Sequence, residues 1–270
     1  MIADTLGALR PIAIRKRHEV SRLRCGRAAM WAKAELTGEG RPLGHSLSGG
    51  AVIAEMKRRS PSGGLLRDHL DCGRLAGEYV SAGAAAISVL TDRPDFGGSL
   101  DDLVAVREAV GVPVLRKDFV VDPVQIPEAR IAGADWVLLI VVLLDGSLLD
   151  DCLAAARRCG AHAIVEVHSE AEVARAVDAG AECVGINNRD LRTLTTDPST
   201  FPRLRDLVPA GTICVAESGM REPADAARFI AQGADAVLIG ESLMRAASPA
   251  TACAEMVRAS RAAAAGDPLP

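Results

Sequence analysis

The length, composition and charge of the chain predict one large core and exclude some partners. Of its 270 residues, 49% are hydrophobic but only 3% aromatic, as expected when Ala, Val, Leu and Ile fill buried parallel strands and their covering helices. The formal net charge of -4 provides no overall attraction for nucleic acid or an anionic membrane, so we expect neither as a partner.

A basic segment near the N-terminus departs from this average. Between residues 10 and 33 there are eight Lys or Arg residues against one acid, Glu19. Such a run is usually a solvated helix face. The alternative is a segment near the entrance to a site for an anionic substrate. The basic residues are Arg10, Arg15, Lys16, Arg17, Arg22, Arg24, Arg27 and Lys33.

The N-terminal region predicts an extension rather than a domain. Residues 1–36 have helix-forming composition, and residues 37–50 are rich in Gly, Ser and Pro, as in a connecting loop. The first residues lack a basic stretch followed by an apolar one, so no signal peptide is predicted. The most apolar stretch, residues 136–144, is about half the roughly 20 residues that a membrane-spanning helix needs. Scattered cysteines without a CxxC pair predict reduced thiols in a cytoplasmic protein; they are Cys25, Cys72, Cys152, Cys159, Cys183, Cys214 and Cys253.

From residue 51 onward, short apolar runs alternate with helical patterns. This alternation indicates βα units and a parallel sheet. Eight such units predict an α/β fold of the (β/α)8 TIM barrel type with an N-terminal helical extension. We assign residues 1–270 to one barrel domain, with residues 1–50 as extension and loop, 51–246 as the barrel and 247–270 as a C-terminal helix and tail. The predicted strands are 51–57, 85–90, 112–117, 135–141, 162–167, 182–187, 212–217 and 235–240.

A glycine repeat supports the barrel. Glycines recur roughly every 50 residues, each just before an even-numbered predicted strand, where each can end a helix in the left-handed conformation. An open doubly wound sheet is the alternative, but it would have fewer strands and a glycine-rich dinucleotide turn after the first. The repeated glycines are Gly83, Gly133, Gly180 and Gly233.

Ionisable side chains follow the apolar part of several predicted strands, where barrel enzymes carry their active sites. Side chains alternate across a strand, so Glu55 and Lys57 share the side of Ile53. The same alternation predicts that two lysines, three glutamates and an amide converge on one cavity: Lys57, Lys117, Glu55, Glu166, Glu217 and Asn187. Mixed charges shielded from water can hold a glutamate as a base and a lysine as an acid.

A phosphate site is predicted from small residues that follow the first, seventh and eighth strands. The segments are KRRSPSGG at 57–64, ESG at 217–219 and GES at 240–242. Small residues let backbone N–H groups approach a phosphate, and barrels commonly bind one after strands 7 and 8. The residues predicted to bind it are Lys57, Ser60, Gly219, Gly240 and Glu241.

No metal or nucleotide motif accompanies these residues. The five histidines show no HxH or HxxxH spacing, and neither a P-loop nor a strand-linked GxGxxG is found. His168 shares a strand face with Glu166 and could line the rim, although a histidine beyond a strand is usually only a polar loop residue. We therefore expect no cofactor and no metal.

Motifs that occur in order over residues 50–246 resemble the indole-3-glycerol phosphate synthase family. They are VIAEMKRRSPSGG, LTDRPDFGGS, VPVLRKDF, IVEVH, GINNRDLRTL, VAESG and VLIGESLMR. The resemblance implies a cofactor-free lyase of tryptophan biosynthesis. Such an enzyme converts 1-(2-carboxyphenylamino)-1-deoxyribulose 5-phosphate to indole-3-glycerol phosphate, CO2 and water. Whether other enzymes of that pathway associate with the chain is left open.

The resemblance also implies roles for the residues that match its motifs. Lys117 would be the general acid of ring closure, and Glu166 the general base of the later dehydration. Lys57 would bind the anthranilate carboxylate and could share the acid role, with Glu55 orienting the lysines. A polar shell would comprise Asn187, Arg189, Glu217 and Ser218. Apolar contacts to the aromatic ring would come from Phe96, Phe119 and Leu191.

Two residues depart from the family pattern. Met56 stands where many relatives have an aromatic residue, on the strand face opposite Glu55. Glu241 stands where others have Ser, and its carboxylate would repel a phosphate, so we assign its backbone N–H to binding.

Three other functions are weighed against this one. A phosphate-handling barrel isomerase, such as phosphoribosylanthranilate isomerase, would use a Cys and an Asp, whereas the first strand here ends in Glu55 and Lys57. A Schiff-base aldolase would use Lys117 as a nucleophile. A non-catalytic sugar-phosphate-binding barrel would not need so many opposed charges.

Overall fold

The computed structural model describes residues 6–23 and 26–266, with His45 described by its backbone only. Eight parallel strands close into a barrel in which each strand pairs with the next and β8 pairs with β1. The strands are β1 (Ala51–Met56), β2 (Ala86–Leu90), β3 (Val114–Lys117), β4 (Trp136–Ile140), β5 (His162–Val167), β6 (Cys183–Asn187), β7 (Ile213–Glu217) and β8 (Ala236–Ile239). The predicted barrel is confirmed, every strand lies within two residues of its predicted bounds, and closure excludes the open sheet.

Helices surround the barrel and form the extension. They are α1 (Leu9–Leu23), α2 (Arg27–Glu35), α3 (Leu43–Ser46), α4 (Cys72–Ser81), α5 (Arg93–Phe96), α6 (Leu100–Ala109), α7 (Gln125–Ile131), α8 (Leu148–Arg158), α9 (Glu170–Asp178), α10 (Thr200–Arg205), α11 (Pro223–Ala231), α12 (Glu241–Arg245) and α13 (Pro249–Ala264). A short 3-10 helix, Val141–Leu143, follows β4, and a hairpin of Arg59–Ser60 with Gly64–Leu65 follows β1. The hairpin was not predicted from the sequence. Neither was α3, which lies within the predicted loop 37–50. Among the described residues, no helix has the length and apolarity that crossing a membrane requires.

The repeated glycines lie where the sequence predicts them. Gly83, Gly133, Gly180 and Gly233 have φ of 98°, 96°, 76° and 96°, in the left-handed region that glycine adopts without steric cost. Each comes directly after a helix and reverses the chain toward β2, β4, β6 or β8. These turns set where each even-numbered strand begins, and thereby which of its side chains reach the mouth of the barrel.

The N-terminal extension contacts both ends of the barrel. Around residue 40 the chain lies at the amino ends of the barrel strands. There Gly40 N donates to Gly160 O, and Arg41 pairs with Asp135 just before β4. At the other end, Lys16 of α1 is buried and its Nζ lies 2.7 Å from Asp118 Oδ1, directly after β3. One segment therefore closes the bottom of the barrel and holds the loops at its mouth.

Part of the basic segment is a solvated helix face, and another part lies near the entrance to the barrel. Five of its residues are exposed, as a solvated helix face requires: Arg10, Arg17, Arg22, Arg27 and Lys33. Arg15 and Lys16 instead face the barrel mouth, whereas Arg24 and Cys25 lie outside the described residues.

Candidate active site

A cavity of about 1240 Å³ opens at the carboxyl ends of the strands. Every residue that the sequence predicts for the site lines it: Glu55, Lys57, Ser60, Phe96, Lys117, Phe119, Glu166, Asn187, Arg189, Leu191, Glu217, Ser218, Gly219, Gly240 and Glu241. The strand alternation explains this result, because residues two positions beyond Ile53, Leu115, Ile164, Gly185 and Val215 project toward the same end of the barrel interior. The structure therefore brings all of these residues to one cavity. The role of each residue in binding or catalysis is a prediction.

Lys117 is at the centre of the polar cluster. Its Nζ lies 2.5 Å from Glu217 Oε2 and 3.1 Å from Glu166 Oε2, so one ammonium contacts carboxylates from β7 and β5. The Nδ2 of Asn187 donates to Glu166 Oε1 at 3.0 Å. Both glutamate side chains are only 1% exposed, and the lysine side chain is 12% exposed. The acid and the base predicted from the sequence are therefore already in contact.

The protonation states follow from burial and from these contacts. Burial disfavours the charge of Lys117, but Glu217, Glu166 and Glu55 outweigh it and raise the lysine pKa. Burial likewise acts on Glu166, yet Lys117, His168 and Asn187 hold its pKa well below the usual range.

Glu217 titrates differently from Glu166. Burial raises the pKa of Glu217 to about 7, and the opposing effect of Lys117 does not cancel it. Its Oε1 is buried without a hydrogen-bond partner in the described structure. Glu166 and Glu217 share Lys117, and Glu166 is the carboxylate that its other contacts keep ionised.

A second ion pair lies beside this cluster. Lys57 Nζ is 2.5 Å from Glu55 Oε1, both directed into the cavity from the end of β1. Glycines make room for the carboxylates, since a Cβ at Gly240 would overlap Glu55 and one at Gly185 would overlap Glu217. Gly240 therefore has a packing role that its assignment to the phosphate loop did not include.

The turn after β7 has an unusual backbone. Ser218 and Gly219 have φ of 62° and 85°, and the left-handed region is unfavourable for serine. Asn188 holds this turn, because its Nδ2 donates to Glu217 O at 3.0 Å and to Ser218 O at 3.2 Å. Asn188 was not predicted as a site residue from the sequence, although it lies within the GINNRD motif. Backbone strain of this kind clusters at functional sites.

Part of the cavity lining is apolar. The rings of Phe96 and Phe119 contact each other with centroids 6.0 Å apart, and Leu191 lines the same cavity. Residues of α1, among them Leu9 and Ile12, also line it, which the sequence did not predict. Met56 is fully buried and outside the cavity lining, so this departure from the family pattern does not alter the pocket wall.

The end of the cavity near β8 carries two arginines around Glu241. Arg245 Nε lies 3.1 Å from Glu241 Oε1, and Arg189 Nη2 lies 3.6 Å from Glu241 Oε2. Arg245 also donates to Gly63 O at 2.7 Å, which ties the loop after β1 to α12. Arg245 was not predicted from the sequence as a site residue. These arginines offset the negative charge of Glu241 at this end of the cavity.

His168 lies behind the cluster rather than at the rim. Its Nε2 is 3.3 Å from Glu166 Oε1 and its Nδ1 is 3.2 Å from Glu172 Oε2. Among the residues that the structure describes, no group of three or more His, Cys, Asp or Glu side chains is arranged to hold a metal ion.

Comparisons with known proteins agree with the family resemblance of the sequence motifs. The family model described as indole-3-glycerol phosphate synthase matches residues 10–256. A protein of that name from Parafrankia sp. is 54% identical over 77% of this chain and 78% of its own length. Those from Kineococcus radiotolerans and Nocardioides sp. are each 53% identical, over 77% and 80% of this chain and 76% and 83% of their own lengths.

Proposed function

This chain belongs to the indole-3-glycerol phosphate synthase family, the decarboxylating lyases of tryptophan biosynthesis, and we propose that Lys117, Glu166 and Lys57 carry out the reaction at the mouth of its barrel. The observation that carries the proposal is the contact of Lys117 with Glu166 and Glu217 inside one cavity. It supplies a charged acid and an ionised base within reach of one substrate.

In the first step, Lys117 acts as a general acid. The aromatic carbon that bears the carboxylate attacks the substrate carbonyl carbon, and Lys117 donates a proton to the carbonyl oxygen. The raised pKa keeps the lysine protonated until the developing oxyanion takes the proton. CO2 then leaves, and its bonding electrons return to the iminium that ring closure created.

In the second step, Glu166 acts as a general base. The new hydroxyl takes a proton from solvent and departs as water, while Glu166 removes a proton from the adjacent carbon to complete the indole. A carboxylate leaves as neutral CO2, so the overall reaction consumes one proton. Contact between Glu166 Oε2 and Lys117 Nζ at 3.1 Å allows the proton taken by the base to return to the acid.

Lys57 and Glu55 hold the other end of the reacting group. We assign Lys57 Nζ to the anthranilate carboxylate, because it is the second ammonium that lines the cavity and directly follows β1. Glu55, 2.5 Å away, orients it. Phe96, Phe119 and Leu191 provide an apolar surface for the ring, and Asn187, Glu217 and Ser218 complete the polar shell.

The phosphate is assigned to the end of the cavity near β8. Ser60, Gly219 and Gly240 line it, and the backbone N–H of Glu241 is offered by the first turn of α12, where helical N–H groups lack partners within the helix. Arg189 and Arg245 add positive charge. The described cysteines are free and buried, which supports a cytoplasmic enzyme.

The alternatives fit this geometry less well. A Schiff-base aldolase needs a neutral lysine, whereas the carboxylates around Lys117 keep it charged. A barrel isomerase using a Cys and an Asp has no counterpart at the end of β1, where Glu55 and Lys57 lie. A barrel that only binds a sugar phosphate would not require three buried glutamates, Glu55, Glu166 and Glu217, near Lys117.

The direct test is to incubate the purified chain with the carboxyphenylamino-deoxyribulose phosphate and follow indole fluorescence. We expect product without any added cofactor. Absence of product would overturn the proposed function. Borohydride added during turnover should trap no covalent adduct, and an adduct on Lys117 would favour the aldolase.

A further inference from the structure

His168 occupies a position that the proposed mechanism does not use. It follows β5 directly, its side chain is 10% exposed, and it is outside the lining of the cavity. Nε2 lies 3.3 Å from Glu166 Oε1, an ion-pair distance without hydrogen-bond geometry, on the side of the carboxylate away from Lys117, which contacts Oε2. The two carboxylate oxygens of Glu166 therefore face different side chains, Oε2 facing Lys117 and Oε1 facing His168.

The start of α9 holds His168 in place. Ser169 caps this helix by accepting a hydrogen bond from Glu172 N. Glu172 Oε2 in turn accepts the backbone N–H of His168 at 2.9 Å and lies 3.2 Å from its Nδ1. The imidazole is thus fixed between Glu166 and Glu172, and these two carboxylates outweigh burial and raise the pKa of His168 to about 9. It is a cation at neutral pH.

The sequence of proton transfers makes this second cation important. Lys117 becomes neutral when it gives its proton to the substrate, and Glu166 then loses the ammonium that held it ionised. A carboxyl that is 1% exposed favours its neutral form when no cation is near. Among the described residues His168 is the other cation in contact with Glu166, and it keeps its proton while Lys117 reacts.

We propose that His168 is a positioning residue that keeps Glu166 ionised and oriented between the discharge of Lys117 and the dehydration step. The groups facing Glu166 are Lys117 from β3, Asn187 from β6, His168 itself and Glu217 of β7, whose carboxylate shares Lys117 and also repels that of Glu166 directly. Those facing His168 are Glu166, Glu172 of α9 and, at longer range, Asp190. This inference rests on the proposed role of Glu166.

The test is His168→Gln, compared with the wild type in single turnovers at several pH values. Loss of CO2 precedes dehydration and is irreversible, so kcat/KM should change little while kcat falls. The acid limb of kcat should move up by about 1 to 3 pH units, the effect of one adjacent opposite charge on a carboxyl. A cyclised, decarboxylated intermediate should accumulate below the shifted limb and disappear above it. Glu172→Gln should shift the limb in the same direction by less.

The matched control is His162→Gln, at the opposite end of the same strand, which should leave both parameters and the pH profile unchanged. Urea unfolding of each variant identifies any general loss of stability. A kcat that falls equally at all pH values, or an unchanged acid limb, would overturn the inference. If Glu166→Gln itself is fully active, the proposed role of Glu166 fails instead, so the two failures are distinguishable.

Discussion

Replacing Lys117 by Met should destabilise the fold in a pH-dependent way. The side chain of Lys117 is only 12% exposed. In the structure it is the cation between Glu166 and Glu217, which are each 1% exposed. Removing one partner of a buried ion pair typically costs about 3 to 5 kcal/mol, because a charge is left buried without compensation. We expect a loss of about that size at pH 8.

The loss should shrink at low pH. Without Lys117, Glu217 loses the cation that opposes the effect of burial, so its pKa, already about 7, rises further above its value in the unfolded chain, whereas His168 still faces Glu166. A carboxyl with a raised folded pKa stabilises the fold below its unfolded pKa, and this contribution is lost as pH rises through the folded pKa. At pH 5 the variant should therefore recover much of its stability relative to the wild type.

Urea unfolding followed by tryptophan fluorescence at pH 5 and pH 8 measures the effect, since Trp136 is buried in β4. Lys117→Arg is the control, because it keeps the positive charge while removing the ammonium acid. The double variant Lys117→Met/Glu217→Gln removes one uncompensated carboxylate and should regain stability at pH 8. An equal loss at both pH values, or no recovery in the double variant, would refute the reasoning.

Four further outcomes are expected. Glu166→Gln should slow dehydration by about 10²- to 10⁴-fold and accumulate a cyclised intermediate in rapid-quench experiments; a wild-type rate would exclude the proposed base. Glu241→Ser should strengthen inhibition by inorganic phosphate about 2- to 5-fold by releasing Arg189 and Arg245, and weaker inhibition would place the phosphate elsewhere. Gly185→Ala should cost about 1 to 3 kcal/mol in urea unfolding because its Cβ would overlap Glu217; unchanged stability would contradict this. EDTA should leave turnover intact, and loss restored by a divalent ion would reveal a metal requirement.

The sequence by itself determined the strands and the direction of their side chains. Local periodicity predicts each strand, and the two-residue alternation then orients every second side chain. Glu55, Lys117 and Glu166 could therefore be assigned to one mouth before any contact was known. The repeated glycines could be predicted for the same reason, because a helix C-terminus is a local feature.

Only the tertiary structure decided which of these groups touch. Lys117 pairs with residues 49 and 100 positions away along the chain, and that pairing depends on how the closed barrel places strands across its interior. The contacts of His168 and Arg245 also depend on tertiary structure. His168 meets Glu172 only because of the way in which α9 begins, and Arg245 donates to Gly63 O in the loop after β1. Sequence patterns report local periodicity, whereas these distances depend on closure of the barrel and on loop packing.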